Sequence, residues 1–103
     1  MLAIDETWNH REAEVAVGDT VTLELSENAT TGYRWRMSEV GPALRVLEES
    51  FKAPTGAPGG GGVRHWTLVA EKAGAVSLRV ELRRSWRPAP TQTFALTLLV
   101  QAR

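Results

Sequence analysis

The sequence predicts an all-β protein, an immunoglobulin-like antiparallel β-sandwich of seven to eight strands that contains no disulfide. Three observations support this fold class. Apolar and polar residues alternate with a period of two in at least five separate runs. Turn-forming residues, mainly glycine and proline, separate these runs. No window longer than two turns shows the three-and-four spacing of an amphipathic helix.

The alternation predicts the strands in chain order. A first strand is predicted around Leu2–Trp8, continuing through Glu14–Val17, and a weaker one at Leu44–Lys52. The five clear runs lie at residues 20–25, 33–37, 66–70, 76–83 and 94–100. One face of each run should pack into the core, because neighbouring side chains of a strand point to opposite faces. The residues predicted to be buried are Val21, Leu23, Trp35, Trp66, Leu78, Val80, Leu96 and Leu98.

Two local features refine this expectation. The segment Ser38–Leu47 has room for one helical turn, although Gly41-Pro42 interrupts it. Trp35, on the third strand, matches the position of the buried tryptophan in immunoglobulin-like sandwiches. Here it must pack without an inter-sheet disulfide, because the chain has no cysteine.

Length and charge limit the possible partners. At 103 residues we expect a single domain, residues 1–103, and a monomer. Twelve Lys and Arg balance twelve Asp and Glu, so the chain gives no reason to expect nucleic-acid or membrane binding. No apolar run approaches the length of a membrane span, and no signal peptide is recognisable. This leaves open a cytoplasmic protein, or a secreted or periplasmic one whose leader has been removed.

The residues that could support catalysis are few, so we do not expect an enzyme. Only His10 and His65 could act as a base near neutral pH, and both are expected on the surface. The carboxylate pairs Asp5-Glu6 and Glu48-Glu49 are adjacent in sequence. On a strand such neighbours point to opposite faces, so they make poor catalytic dyads or metal clamps. We therefore expect no cofactor, no metal and no catalytic residue.

Three stretches between the strands stand out as candidate binding loops. They are "NATTG" from Asn28, the glycine run Gly59–Gly62, and "RSWRPAP" from Arg84. In an immunoglobulin-like strand order, these connections all lie at the same end of the sandwich. Binding loops held on a rigid scaffold have this arrangement.

Each stretch also has a simpler interpretation. The glycine run lacks the Lys-Ser/Thr and the helix of a phosphate-binding loop, so a hairpin turn is the stronger alternative. Glycines would also allow another backbone to approach closely. Trp86 among arginines is typical of a protein-binding hot spot or, more weakly, of a nucleic-acid patch. It could instead fold back over the end of the sandwich as a core residue.

The three motifs, in this order and on a chain of this length, resemble the chagasin-like inhibitors of papain-family cysteine peptidases. That family carries an Asn-Pro-Thr-Thr-Gly-Tyr/Phe loop, a Gly-x-Gly-Gly loop and an Arg-Pro-Trp loop. The corresponding residues here are Asn28–Tyr33, Gly59–Gly62 and Arg84–Trp86. Ala29 and Ser85 replace the two family prolines. Because proline fixes φ, these loops should be looser and should order on binding.

The resemblance implies a reversible inhibitor that blocks the peptidase cleft with three loops. Thr31 would lie nearest the catalytic Cys–His pair, the glycine loop would lie against one side of the cleft, and Trp86 would pack on the other side beside Arg84. The implied peptidase-binding residues are Asn28, Thr30, Thr31, Gly32, Tyr33, Gly59, Gly60, Gly61, Gly62, Arg84 and Trp86. Two alternatives stay open at this point. One is an immunoglobulin-like module that binds another protein or a carbohydrate with the same loops, and the other is a structural subunit.

Overall fold

The computed structural model describes residues 2–27, 32–52, 62–84 and 92–102. Eight strands and one 3-10 turn form these segments. The strands are β1 (Leu2–Ile4), β2 (Arg11–Ala16), β3 (Thr20–Glu27), β4 (Tyr33–Val40), β5 (Leu44–Lys52), β6 (Gly62–Ala70), β7 (Gly74–Arg84) and β8 (Gln92–Gln101), and the 3-10 turn is Glu6–Trp8. In the described part of the chain, no helix is long and apolar enough to cross a membrane.

The strands form two four-stranded sheets, which confirms the predicted sandwich. Sheet I has the order β1-β3-β6-β5, and sheet II has the order β2-β8-β7-β4. Four of the pairings are antiparallel. The edge strands β1 and β2 instead run parallel to β3 and β8. The alternation could not distinguish these directions, because side chains alternate with the same period in parallel and antiparallel strands.

The N-terminal strand is divided between the two sheets, which differs from the prediction of one strand around Leu2–Trp8 that continues to Val17. β1 ends at Ile4, and Asp5 then caps the 3-10 turn by accepting hydrogen bonds from the Thr7 hydroxyl and backbone N–H. These two bonds also lower the pKa of Asp5. His10 has a φ of 63°, which redirects the chain into β2. The chain therefore crosses from sheet I to sheet II between residues 5 and 10.

No helical turn forms between Ser38 and Leu47. β4 continues to Val40, a short turn follows at Gly41-Pro42, and β5 begins at Leu44. A Cβ on Gly41 would collide with the side chain of Val76 on β7, so this turn packs closely against sheet II. The short connection keeps β4 and β5 at the same side of the sandwich, each as the edge of its own sheet.

The core lies between the sheets and contains every residue that the alternation assigned to it. Trp66 and Phe94 are the largest of its fully buried side chains. Burying a large apolar side chain contributes about 1.5–3 kcal/mol, so these alternating faces provide the main drive for folding. The eight predicted residues are all buried, namely Val21, Leu23, Trp35, Trp66, Leu78, Val80, Leu96 and Leu98.

Candidate functional site

Six strand ends meet at one end of the sandwich, which we call the loop end. β3, β5 and β7 finish there, and β4, β6 and β8 start there. The register pairs that establish this are Glu27 with Gly62, Lys52 with Val63, Tyr33 with Arg84, and Leu82 with Gln92. The connections that carry the three sequence motifs therefore begin and end at the loop end, as the strand order predicted.

A buried carboxylate lies at the base of the first connection, residues 28–32, which joins β3 to β4. Glu27, the last residue of β3, is only 3% exposed. Its Oε1 accepts a hydrogen bond from the backbone N–H of Trp35 at 2.6 Å. Trp35 belongs to the other sheet, so this single carboxylate joins the end of β3 to the start of β4 across the sandwich. Hydrogen bonds to an ionised acceptor are among the strongest in proteins.

Arg64 supplies the opposite charge. Its Nη2 lies 2.9 Å from Oε2 of Glu27, and its Nε also donates to that carboxylate. The hydrogen bonds to Glu27 raise the pKa of Arg64 despite its partial burial, so the guanidinium stays charged. Nη1 of Arg64 reaches Glu49 on β5 at 3.1 Å, and the guanidinium carbon lies 5.3 Å from the centre of the Phe51 ring. One cation thus connects β3, β6 and β5 beneath the loop end.

Trp35 fixes the start of β4 by a second bond. Its indole Nε1 donates to the backbone oxygen of Ser26 at 2.8 Å, and its ring is buried in the core. Trp35 is therefore hydrogen-bonded to two residues at the end of β3. Its side chain binds Ser26, and its backbone binds Glu27. The two ends of the 28–32 connection are consequently fixed in relation to each other.

Arg84, at the end of β7, stacks on an aromatic ring. Its guanidinium carbon lies 4.2 Å from the centre of the Tyr33 ring, within cation–π range. Both side chains are half-buried and belong to paired residues of β7 and β4. Because Leu82 and Val80 face the core, Arg84 lies on the inner face of its strand. This stack joins the start of the 85–91 connection to the end of the 28–32 connection.

Glycines have distinct roles at two of these strand ends. Gly32 has a φ of 80°, in the left-handed region where side chains are disfavoured. Gly62 is buried at the start of β6, and a Cβ there would lie 2.5 Å from the Lys52 carbonyl oxygen and 2.5 Å from the Phe51 ring. Gly32 is therefore needed for a turn, whereas Gly62 is needed for close approach of β5 and β6.

The structure describes four of the predicted peptidase-binding residues, and it brings all four to the loop end. Gly32 immediately precedes β4, Tyr33 begins it, Gly62 begins β6, and Arg84 ends β7. The others lie outside the described residues, namely Asn28, Thr30, Thr31, Gly59, Gly60, Gly61 and Trp86. Sequence reasoning missed Glu27 and Arg64. Glu27 follows Leu23 and Leu25 at the same two-residue spacing, so alternation places it on the inward face of β3. A charged residue at a position that alternation assigns to the core was the available signal.

Neither histidine side chain forms a hydrogen bond or ion pair with the described residues of this network. His10 is exposed, and its backbone N–H donates to the Ala95 oxygen at 2.7 Å. With Glu39 and Arg79 it borders a groove of about 300 Å³ on the outer face of sheet II. His65 is half-buried on β6, opposite Glu24. Among the described residues, no group of three or more His, Asp or Glu side chains could hold a metal ion.

Comparison with known proteins identifies the family. The sequence profile of the chagasin family of peptidase inhibitors (I42) matches residues 14–98. This chain belongs to the chagasin family. Among curated proteins, Amoebiasin-2 of Entamoeba histolytica is 23% identical in an alignment that covers 97% of this chagasin-family chain and 84% of the relative.

Solved structures share the fold of this family member. The cysteine protease inhibitor EhICP2 of Entamoeba histolytica superposes with a TM-score of 0.84 at 21% identity, over 97% of each chain. Amebosin gives a TM-score of 0.81 at 27% identity, over 98% of this chain and 99% of that one. PbICP-C, solved in complex with falcipain-2, gives a TM-score of 0.63 at 15% identity, over the whole of both chains.

Membership of this family confirms two predictions from the sequence. The protein is a chagasin-family peptidase inhibitor, and it is not an enzyme. The matched residues include β3 to β7 and the first part of β8, and therefore all six strand ends that meet at the loop end. Residues 28–31, 53–61 and 85–91, which hold most of the motif residues, lie within this match but outside the part that the structure describes.

We expect Glu27→Gln to lower the free energy of unfolding by about 3–5 kcal/mol, because it leaves the Arg64 guanidinium without its buried counter-charge. Glu49→Gln is the matched control. It removes a charge from the same arginine, but the Glu49 side chain is 47% exposed. The control should therefore change stability by less than about 1 kcal/mol. Urea unfolding of both variants measures the difference, and equal losses would contradict a special role for the buried carboxylate.

We expect Gly62→Ala to destabilise the protein by about 1–3 kcal/mol, because the new methyl group overlaps the Lys52 carbonyl and the Phe51 ring. The shift should appear as a lower urea midpoint with an unchanged denaturant slope. A variant as stable as the parent would show that β5 moves aside at no cost.

Proposed function

We propose that this protein inhibits papain-like cysteine peptidases by placing three loops in and around the active-site cleft. The loops are Asn28–Tyr33, Gly59–Gly62 and Arg84–Trp86. The observation that carries the proposal is the convergence of the six flanking strand ends at the loop end. Family membership and the solved complex of PbICP-C with falcipain-2 support it.

The mechanism needs no chemistry from the inhibitor. In the proposal, the Thr30–Gly32 segment occupies the cleft with Thr31 nearest the catalytic Cys–His pair. The glycine loop lies along one side, and Trp86 packs on the other side beside Arg84. The chain stays uncut as long as no peptide carbonyl meets the thiolate in attack geometry.

The described base of the site supports this mechanism. The bonds of Glu27 to Trp35 and Arg64 hold the ends of the first loop across both sheets. The stack of Arg84 on Tyr33 holds the third loop beside the first. A base that is ordered before binding reduces the entropy lost when the loops dock.

The direct experiment is titration of papain with the purified chain. Reversible, stoichiometric inhibition that competes with substrate is expected. A chain that folds, but leaves papain and other papain-like peptidases fully active, would instead favour an immunoglobulin-like module that binds another protein or a carbohydrate.

We expect Thr31→Asp to weaken inhibition by more than about 2 kcal/mol, because it brings a carboxylate into a desolvated active site. Thr91→Asp is the matched control, since it adds the same charge in the third connection, at a position that the proposal leaves outside the contact. The measured quantities are the inhibition constants against papain and the melting temperatures. Equal potency of Thr31→Asp and the parent would remove the first loop from the cleft.

We expect Trp86→Ala to separate binding from stability. If Trp86 is a binding anchor, inhibition should weaken by about 2–4 kcal/mol, while the free energy of unfolding changes by less than about 1 kcal/mol. If Trp86 is instead part of the core, the order reverses, with about 3–5 kcal/mol of stability lost. Urea unfolding and papain titration of this one variant distinguish the two cases.

A further inference from the structure

Three arginines lie side by side on the outer face of sheet II, next to the loop end. Arg34 and Arg36 on β4 alternate with the inward-facing Trp35, and Arg83 on β7 is the register partner of Arg34. We call Arg34, Arg36 and Arg83 the basic strip. It starts within one residue of Tyr33 and Arg84, where the first and third connections begin and end.

Two of these three cations form no ion pair with a described carboxylate, although Arg36 lies opposite Glu81 in the register of β4 and β7. Arg83 Nε binds Glu81 at 2.8 Å. Arg34 and Arg36 are exposed, and neither forms an ion pair with any described residue. All twelve Asp and Glu residues of the protein belong to the described residues, because the stretches 28–31, 53–61 and 85–91 contain none.

Cross-strand pairing accounts for Arg36, which lies opposite Glu81, but not for the rest of the basic strip. Arg34 and Arg83 are like charges directly opposite each other on adjacent strands, an arrangement that destabilises a sheet. It does not follow from overall charge either, since the chain is neutral. At the opposite edge of the loop end, the exposed Asp5 and Glu6 belong to the crossing between the sheets, and Glu6 accepts a hydrogen bond from Ser26. The loop end thus has a basic side and an acidic side.

The basic strip continues into a recess at the β4 edge. This recess has a volume of about 90 Å³ and is lined by Arg34, Trp35, Arg36, Glu49 and Arg64. The Glu49 carboxylate is already bound to Arg64. Two unpaired guanidinium groups therefore flank a small open pocket, a setting that favours a carboxylate from outside the chain.

We infer that the basic strip is a second contact surface of the inhibitor, which binds Asp and Glu side chains on the rim of the peptidase cleft. This inference rests on the proposed function, because it is the docked loops that would bring the rim against β4 and β7. Long-range attraction between the basic strip and an acidic rim speeds association and selects among peptidases with similar clefts. The basic strip is thus a specificity determinant that lies outside the three loops.

The experiment measures association rate constants for the double variant Arg34→Gln/Arg36→Gln against a papain-like peptidase with Asp and Glu beside its cleft. The same peptidase with these carboxylates changed to amides is the second target. The control inhibitor, Arg45→Gln/Lys72→Gln, loses the same charge at the opposite end of the sandwich, where β5 begins and β6 joins β7. Rates are compared at about 20 mM and about 500 mM salt, because screening shortens the range of the attraction.

We expect Arg34→Gln/Arg36→Gln to associate about tenfold more slowly than the parent at low salt and less than about twofold more slowly at high salt. Against the amide-substituted peptidase, it should associate at the rate of the parent. Equal rates for this variant and the parent at low salt, or an equal fall for the control inhibitor, would overturn the inference and leave the proposed function intact. Failure of the parent itself to inhibit would overturn both.

Discussion

The arrangement of the loop end depends on one ion pair, the buried Glu27 with the partly buried Arg64. β3 and β4 lie in different sheets, so no backbone ladder joins them where the chain passes from one to the other. The Glu27 carboxylate supplies the missing connection, because it accepts from the Trp35 backbone and from the Arg64 guanidinium together. A buried ion pair contributes little net stability, since desolvation offsets its attraction. Its value here is positional, because it fixes where one sheet ends in relation to the other.

This positional role bears on the two prolines that the family motifs carry and this chain lacks. Proline at residues 29 and 85 would stiffen the loops from within. Ala29 and Ser85 cannot do so, and the described contacts restrain the loops from their bases instead. Glu27 and Trp35 hold the ends of the first connection, and Arg84 on Tyr33 links it to the third. In the proposed binding mode, we expect restraint at the base to reduce the entropy that the loops lose when they dock.

The sequence was sufficient for the sandwich and the convergence of the strand ends, because both follow from alternation and strand order. Alternation reveals which face of a strand is buried but not which strand lies beside it. The parallel pairing of β1 with β3 and of β2 with β8 was therefore not predictable, and neither was the crossing at Asp5–His10. At the loop end, motif likeness indicated Gly32, Tyr33, Gly62 and Arg84, yet it missed Glu27 and Arg64. Those two residues are 37 positions apart, and only the register of β3 and β6 brings them together.

Gly62 shows how a motif residue can serve the scaffold and the site together. A side chain there would overlap the Lys52 carbonyl and the Phe51 ring, and Phe51 is the ring over which Arg64 lies. The absence of a side chain therefore lets β5 approach β6 closely enough for Phe51 to cover the guanidinium that neutralises Glu27. The base of the glycine loop and the base of the first loop are thus coupled through Arg64. A change at either base should be transmitted to the other by packing, even though the two loops share no residue.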